Sequence, residues 1–140
     1  MSNDGNAVRQ VIEKFMASLP VRDWKAMAET LAPDVTREGP EGPDGDALVG
    51  PEAYIGWLAG MADPLHEYGW RTDRIIYGDD GRSAVVEATT RYLIEKDSEP
   101  FGYHLVMLFE LDEQNRIADV DLYWKTPKQR LRGDTVSAGK

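Results

Sequence analysis

Residues Phe101–Trp124, FGYHLVMLFELDEQNRIADVDLYW, decide the fold. Two apolar runs of strand composition flank DEQN, four residues that favour a turn, so the stretch reads as a β-hairpin. In the first run Tyr103, Leu105, Met107 and Phe109 alternate with His104, Val106, Leu108 and Glu110. A period of two puts these sets on opposite faces of a sheet, and both carry apolar residues. In the second run Ala118, Val120, Leu122 and Trp124 form a wholly apolar face, with Ile117, Asp119, Asp121 and Tyr123 opposite. One face of the hairpin therefore suits a core, and the other suits a second subunit.

Outward from this hairpin the chain supplies what covers it. The preceding segments Tyr68–Tyr77 and Ser83–Lys96 flank the turn GDDG and predict a second hairpin. Ala7, Val8, Val11, Ile12, Phe15, Met16 and Leu19 recur at helical spacing, which predicts a helix from about Asn6 to Leu19, capped by Asp4 or Asn6 and ended by Pro20. Asp23 caps a second helix with Trp24, Met27, Ala28 and Leu31 on its buried stripe, stopped by Pro33. Val35–Glu38 reads as a short strand, GPEGPDGD as a surface loop, and Ala47–Val49 as a return strand. Pro51 then sits at the first position of a helix through Met61, whose apolar face is Tyr54, Trp57, Leu58 and Met61.

Helices followed by long strands joined by hairpin turns argue for an α+β fold, with three N-terminal helices packed on one face of a curved antiparallel sheet. Such a sheet closed by helices makes a cone, and a cone leaves a cavity at its wide end. At 140 residues the chain reads as one domain over residues 1–126 with a basic C-terminal tail over 127–140.

Composition excludes several functions. The formal charge is −9, and five of the 16 basic residues follow Trp124, so residues 1–124 hold 11 basic against 24 acidic residues, a net of −13. A nucleic-acid surface needs a basic patch, so no nucleic-acid partner is expected. Cysteine is absent, which removes disulfides, thiolate nucleophiles and thiolate metal sites. MSNDGNAV lacks the basic and apolar regions of a secretory signal, and no run approaches the roughly 20 apolar residues of a membrane span, so a cytoplasmic protein with no membrane partner is expected.

The segment RDWKAMAETLAPDVTREGP, the helix start GPEAYI and the terminal RIADVDLYW together resemble the nuclear transport factor 2-like superfamily. This is the cone-shaped, cystatin-like α+β barrel fold shared by ketosteroid isomerases, limonene epoxide hydrolases, scytalone dehydratases and SnoaL-like polyketide cyclases. The resemblance covers roughly Val8–Trp124 and implies a single SnoaL-like domain. It also implies where relatives keep their acids and bases. The isomerase tyrosine falls near Phe15, its base near Gly39 and its aspartic acid near Met107. The inward aspartate of epoxide hydrolases and SnoaL-like cyclases falls at Leu122, and the dehydratase tyrosine and aspartate at Leu19 and Pro20. None of these positions carries the needed proton chemistry in this chain.

Other residues are then the candidates for catalysis. Glu38, at the end of the first strand, reads as a half-buried base tuned by Trp57, Tyr54 and Met107, or as an exposed strand-end glutamate beside Arg37. Tyr92 shares its face with Thr90, Val86 and Ala88 and reads as a proton donor to a carbonyl or epoxide oxygen, or as filler at a core edge. His104 reads as a general acid or base if Gly102 marks a bulge that turns it inward, and otherwise as an outward interface residue. His66 reads as a surface-loop residue, or as a lid histidine. Phe15, Tyr54, Trp57, Met61, Thr90, Tyr103, Met107, Leu122 and Trp124 are the candidate substrate-binding wall. Two unrelated histidines and scattered carboxylates match no ligand spacing, so neither a metal nor a cofactor is expected.

The expected function is a cofactor-independent cyclase, isomerase or epoxide-opening enzyme acting on an apolar polyketide- or terpenoid-like substrate. The alternative is a non-catalytic module of the same fold that binds a hydrophobic ligand or serves as a dimeric assembly unit. A homodimer through the outer sheet face, with Val106, Leu108 and Tyr123, is expected in either case.

Overall fold

The computed structural model describes residues 4–39 and 47–125, so the expected basic tail and all of the GPEGPDGD loop except Gly39 lie outside the described residues. Helix α1 spans Asp4–Val21, α2 Trp24–Ala28 and α3 Pro51–Ala62. Strands β1 Leu31–Glu38, β2 Leu48–Val49, β3 Glu67–Tyr77, β4 Ser83–Leu93, β5 His104–Leu111 and β6 Ile117–Lys125 form one sheet in the order β2-β1-β6-β5-β4-β3. This is the α+β arrangement of three helices and a curved sheet, left open between β2 and β3.

Four of the five strand pairings are antiparallel, while β1 runs parallel to β6. The sheet is therefore mixed rather than antiparallel throughout. The chain between β1 and β6 holds α3 and two hairpins, enough to bring β6 alongside β1 in the same direction.

Local chemistry sets the element ends. Helix α1 continues through Pro20 and stops because Arg22 takes a left-handed backbone, φ 58°. Arg22 N–H then donates to Leu19 O at 3.2 Å and Asp23 N–H to Ser18 O at 3.0 Å, the paired bonds of a Schellman closure. The Asp23 carboxylate accepts from Ala26 N–H at 3.1 Å, capping α2 as its sequence position predicts. That helix is shorter than its apolar stripe suggests, since Leu31 and Pro33 already belong to β1. Pro33 lies where the β1–β6 register shifts, between Leu31 and Thr36, a stretch in which a missing N–H interrupts no regular ladder.

The turns follow the same logic. Asp112 Oδ1 accepts from Gln114 N–H and Arg116 N–H while Asn115 takes φ 61°, so the DEQN segment closes on its own side chains. Asp80 does the equivalent work in GDDG, accepting from Arg82 N–H and Ser83 N–H.

The core sits between α1 and the inner sheet face. Val8, Ile12, Phe15, Met16 and Leu19 from α1 meet Val86, Ala88, Leu105, Met107, Phe109, Val120 and Leu122, all buried. Phe15 packs edge-on against Phe109 with ring centroids 5.3 Å apart. The inner face of β5 follows the two-residue alternation throughout. In β6 it breaks, because Ile117 and Val120 are both fully buried with two residues between them. A register shift beside Glu110 and Leu111 accommodates the extra residue, so Ile117 is a core residue and not an outer-face one.

Candidate functional site

Beyond the packed core, the space between α3 and the sheet opens into a cavity of about 270 Å³. Helix α3 supplies Tyr54, Trp57, Leu58 and Met61 to one wall; the sheet supplies Leu105, Met107, Leu122 and Trp124 to the other. Tyr92, Phe101, Tyr103 and Trp70 line its aromatic side. Seven of the nine expected substrate-binding residues are thus brought together: Tyr54, Trp57, Met61, Tyr103, Met107, Leu122 and Trp124. Phe15 and Thr90 are not part of the wall. Phe15 is fully buried in the core against Tyr54 and Phe109, and Thr90 is buried beside a separate groove, its hydroxyl oxygen accepting from Tyr103 N–H at 2.9 Å.

Of the three candidate catalytic residues, Tyr92 lines the cavity. Its ring is stacked on Tyr68 with centroids 5.7 Å apart and meets Phe101 and Tyr103 edge-on, which fixes its plane. Burial pushes the Tyr68 phenol above its ordinary range, with Tyr92 adding to the effect, so that phenol stays neutral at physiological pH.

Glu38 and His104 lie elsewhere. Val35 and Arg37 point inward from β1, which leaves Thr36 and Glu38 on the outer face, and Glu38 is exposed. Thr36 donates to the Asp119 carboxylate there at 2.6 Å. His104 also stays outward, with Nδ1 3.4 Å from Thr89 Oγ1. The Thr89 hydroxyl donates to Asp73 at 2.6 Å, and Arg71 Nε donates to the same carboxylate at 2.6 Å. Gly102 does allow a close approach, since a Cβ there would stand 1.9 Å from the Thr90 carbonyl oxygen. That approach does not turn His104 inward, because alternation resumes at once with Tyr103 and Leu105 inside. His66 is exposed, as expected of a connecting segment.

Arg37 is the residue that sequence reasoning missed. Its side chain is 2% exposed and lines the cavity, with the guanidinium carbon 4.5 Å from the Trp57 ring centroid and 5.9 Å from that of Tyr54. Two aromatic faces around a guanidinium supply part of the stabilisation that water would otherwise give. The signal was present, because a period of two counted from Val35 puts Arg37 inside. It runs against the rarity of buried charges.

Among the described residues no carboxylate or imidazole lines the cavity, and none form a cluster of three or more histidine, cysteine, aspartate or glutamate side chains able to hold a metal. No helix among them is long and apolar enough to cross a membrane.

Fold and cavity together define a cone-type small-domain protein, and comparison with known families places it. The SnoaL-like domain matches residues 12–120, so the chain belongs to the SnoaL-like family of the nuclear transport factor 2-like superfamily. No curated protein matches it in sequence. Among solved structures, a candidate ketosteroid isomerase from Kribbella flavida DSM 17836 is similar at 21% identity and TM-score 0.69, over 86% of this chain and 78% of that one. An LEH-like epoxide hydrolase from M. tuberculosis is similar at 20% identity and TM-score 0.69, over 86% and 84%. The epoxide hydrolase/cyclase-like enzyme SalBIII, of pyran ring formation in polyether salinomycin, is similar at 17% identity and TM-score 0.72, over 89% and 95%. At these identities the likeness is one of fold.

Proposed function

We propose that the protein takes an apolar small molecule of polyketide or terpenoid type into the cavity between α3 and the sheet. The observation that carries this reading is the wall itself, aliphatic and aromatic on both sides, with Arg37 and a few phenols as its ionisable groups among the described residues. Apolar walls with sparse polar groups suit a ligand that buries most of its surface, and about 270 Å³ lies near the lower end of the ligand-pocket range. Holding the ligand is the use these walls support best. The test is binding of the neutral fluorescent probe N-phenyl-1-naphthylamine. Wild type should bind it and Leu122→Arg, which drives a charge into the wall, should not; equal binding by the two proteins sinks the reading.

Turnover is the second reading, favoured by the position of Tyr92. A phenol on the wall can donate to a carbonyl or epoxide oxygen as charge develops there. Glu38 and His104 lie outside the cavity, so the reaction this wall suits is one in which the substrate brings its own nucleophile. A substrate hydroxyl attacks an epoxide carbon, the carbon–oxygen bond opens, Tyr92 protonates the departing oxygen and recovers a proton from the attacking hydroxyl. The names of SalBIII and the epoxide hydrolase fit epoxide opening and ring formation. A Tyr92→Phe variant that turns over a cyclising epoxide as fast as wild type would exclude it.

The proposal extends to assembly. Leu108 and Tyr123 are exposed on the outer sheet face beside Val106, and a second copy of the chain is the proposed cover for this apolar row.

A further inference from the structure

We propose that Phe101 sets the length of the ligand: its ring closes one end of the cavity, so the site selects a compact ring body over one that carries a long chain. This rests on the reading that the cavity binds a ligand at all. A groove of about 430 Å³ lies beside the cavity of about 270 Å³. Among the described residues Trp70 and Phe101 are the two that line both.

The two are held differently. Trp70 belongs to β3, where it pairs with Thr90 of β4, and its indole nitrogen is buried. Phe101 lies in the connection between β4 and β5 and is 37% exposed. Its ring meets the Tyr92 and Tyr103 rings of the cavity wall edge-on, with centroids 5.4 and 6.3 Å away. A side chain that touches the cavity wall and is still more than a third open stands at the boundary between the two spaces.

The main chain keeps the ring there. Tyr92 N–H donates to Phe101 O at 2.6 Å, and Phe101 N–H donates to Tyr92 O at 3.0 Å. At the next residue, a Cβ on Gly102 would stand 1.9 Å from the Thr90 carbonyl oxygen, so this segment is pressed closely onto β4. Removing the ring therefore joins the groove to the cavity without moving the backbone that carries it. Each methylene that leaves water for an apolar space tightens binding about fourfold. A chain with room to run gains affinity with length, and a chain stopped by Phe101 does not.

The experiment titrates two fluorescent probes with the same ring system into the full chain, 6-acyl-2-(dimethylamino)naphthalenes with a three-carbon and an eight-carbon acyl chain. Wild type should bind the longer probe at most about threefold more tightly than the shorter one, less than one buried methylene supplies. In Phe101→Ala the preference for the longer probe should rise about 10-fold or more over that of wild type, and in Phe101→Val by part of that. A larger wild-type preference for the long chain overturns the inference. So does a preference in Phe101→Ala equal to that of wild type, with Phe101→Val deciding if the alanine variant does not fold. Either of those results with the short probe still bound leaves the cavity reading standing, whereas binding of neither probe removes both.

Discussion

The guanidinium carbon of Arg37 lies 4.5 Å from the centroid of the Trp57 ring, joining the end of β1 to the middle of α3 across the cavity wall. A cation over an indole face with little water near it contributes about 0.5–2 kcal/mol. A double-mutant cycle with Arg37→Met and Trp57→Leu, followed by urea denaturation, should return a coupling energy in that range. Strict additivity would show that the two side chains are neighbours without interaction.

The cavity wall separates the three candidate catalytic residues by experiment. Glu38→Gln and His104→Gln should leave N-phenyl-1-naphthylamine affinity within about twofold, because both side chains lie on the other side of the sheet from the ligand. Tyr92→Leu should weaken it about 10-fold by removing aromatic contact area. A large loss in Glu38→Gln would mean that its carboxylate reaches the ligand after all.

Gly102 and Gly56 make a matched pair for stability. A Cβ at Gly102 would stand 1.9 Å from the Thr90 carbonyl oxygen and 2.7 Å from its carbon, both backbone atoms that cannot move aside. Gly102→Ala should cost about 1–3 kcal/mol, as forced overpacking does. Gly56 lies in α3 with nothing within 4 Å of its added Cβ, so Gly56→Ala should stabilise the protein by about 0.8–1 kcal/mol through helix propensity. Urea denaturation of both variants should show opposite signs.

Asp73 predicts part of the acid limb of stability. Burial of its carboxylate favours the neutral form, yet hydrogen bonds from Thr89 and Arg71 outweigh this and hold its pKa below the ordinary carboxylate value. A depressed carboxylate stabilises the fold above its unfolded pKa, roughly 3.9, and the contribution disappears as pH falls through the folded value. Wild type should therefore lose stability more steeply than Asp73→Asn as pH drops below about 4. Parallel acid limbs for the two proteins would remove Asp73 from the account.

Leu108→Lys tests assembly. Leu108 is 37% exposed and Tyr123 56% exposed on the outer sheet face. Placing an ammonium in the middle of that apolar row should convert a dimer into a monomer in light scattering, with thermal unfolding then independent of protein concentration. A monomeric wild type would dispose of the proposed dimer.

The parts of this structure that could be read from the sequence are those with a local mark. The β5 alternation was readable because one set, Tyr103 to Phe109, is apolar throughout, and the α2 cap was readable because Asp23 precedes an apolar stripe. The parallel pairing of β1 with β6 was not, since partners some 80 residues apart, such as Thr36 and Asp119, leave no periodic trace of each other. Ile117 was misassigned for a similar reason: one extra residue in a strand reverses its parity without any glycine to announce it. At the site, Trp57, Met61, Met107 and Leu122 followed from helical and strand spacing. Arg37 carries no such local mark, because a buried arginine and an exposed glutamate such as Glu38 differ by one residue of register and charged side chains are rarely buried.

The open sheet has one further consequence, and it concerns solubility. Strand β3 is an eleven-residue border with no strand on its far side among the described residues, long enough to recruit the backbone of another molecule and seed a fibre. Its ladder is interrupted between Thr72 and Arg74, and Arg71, Asp73 and Arg74 crowd that interruption with charge. The break leaves two short, kinked lengths of border in place of one straight template, so this rim discourages aggregation.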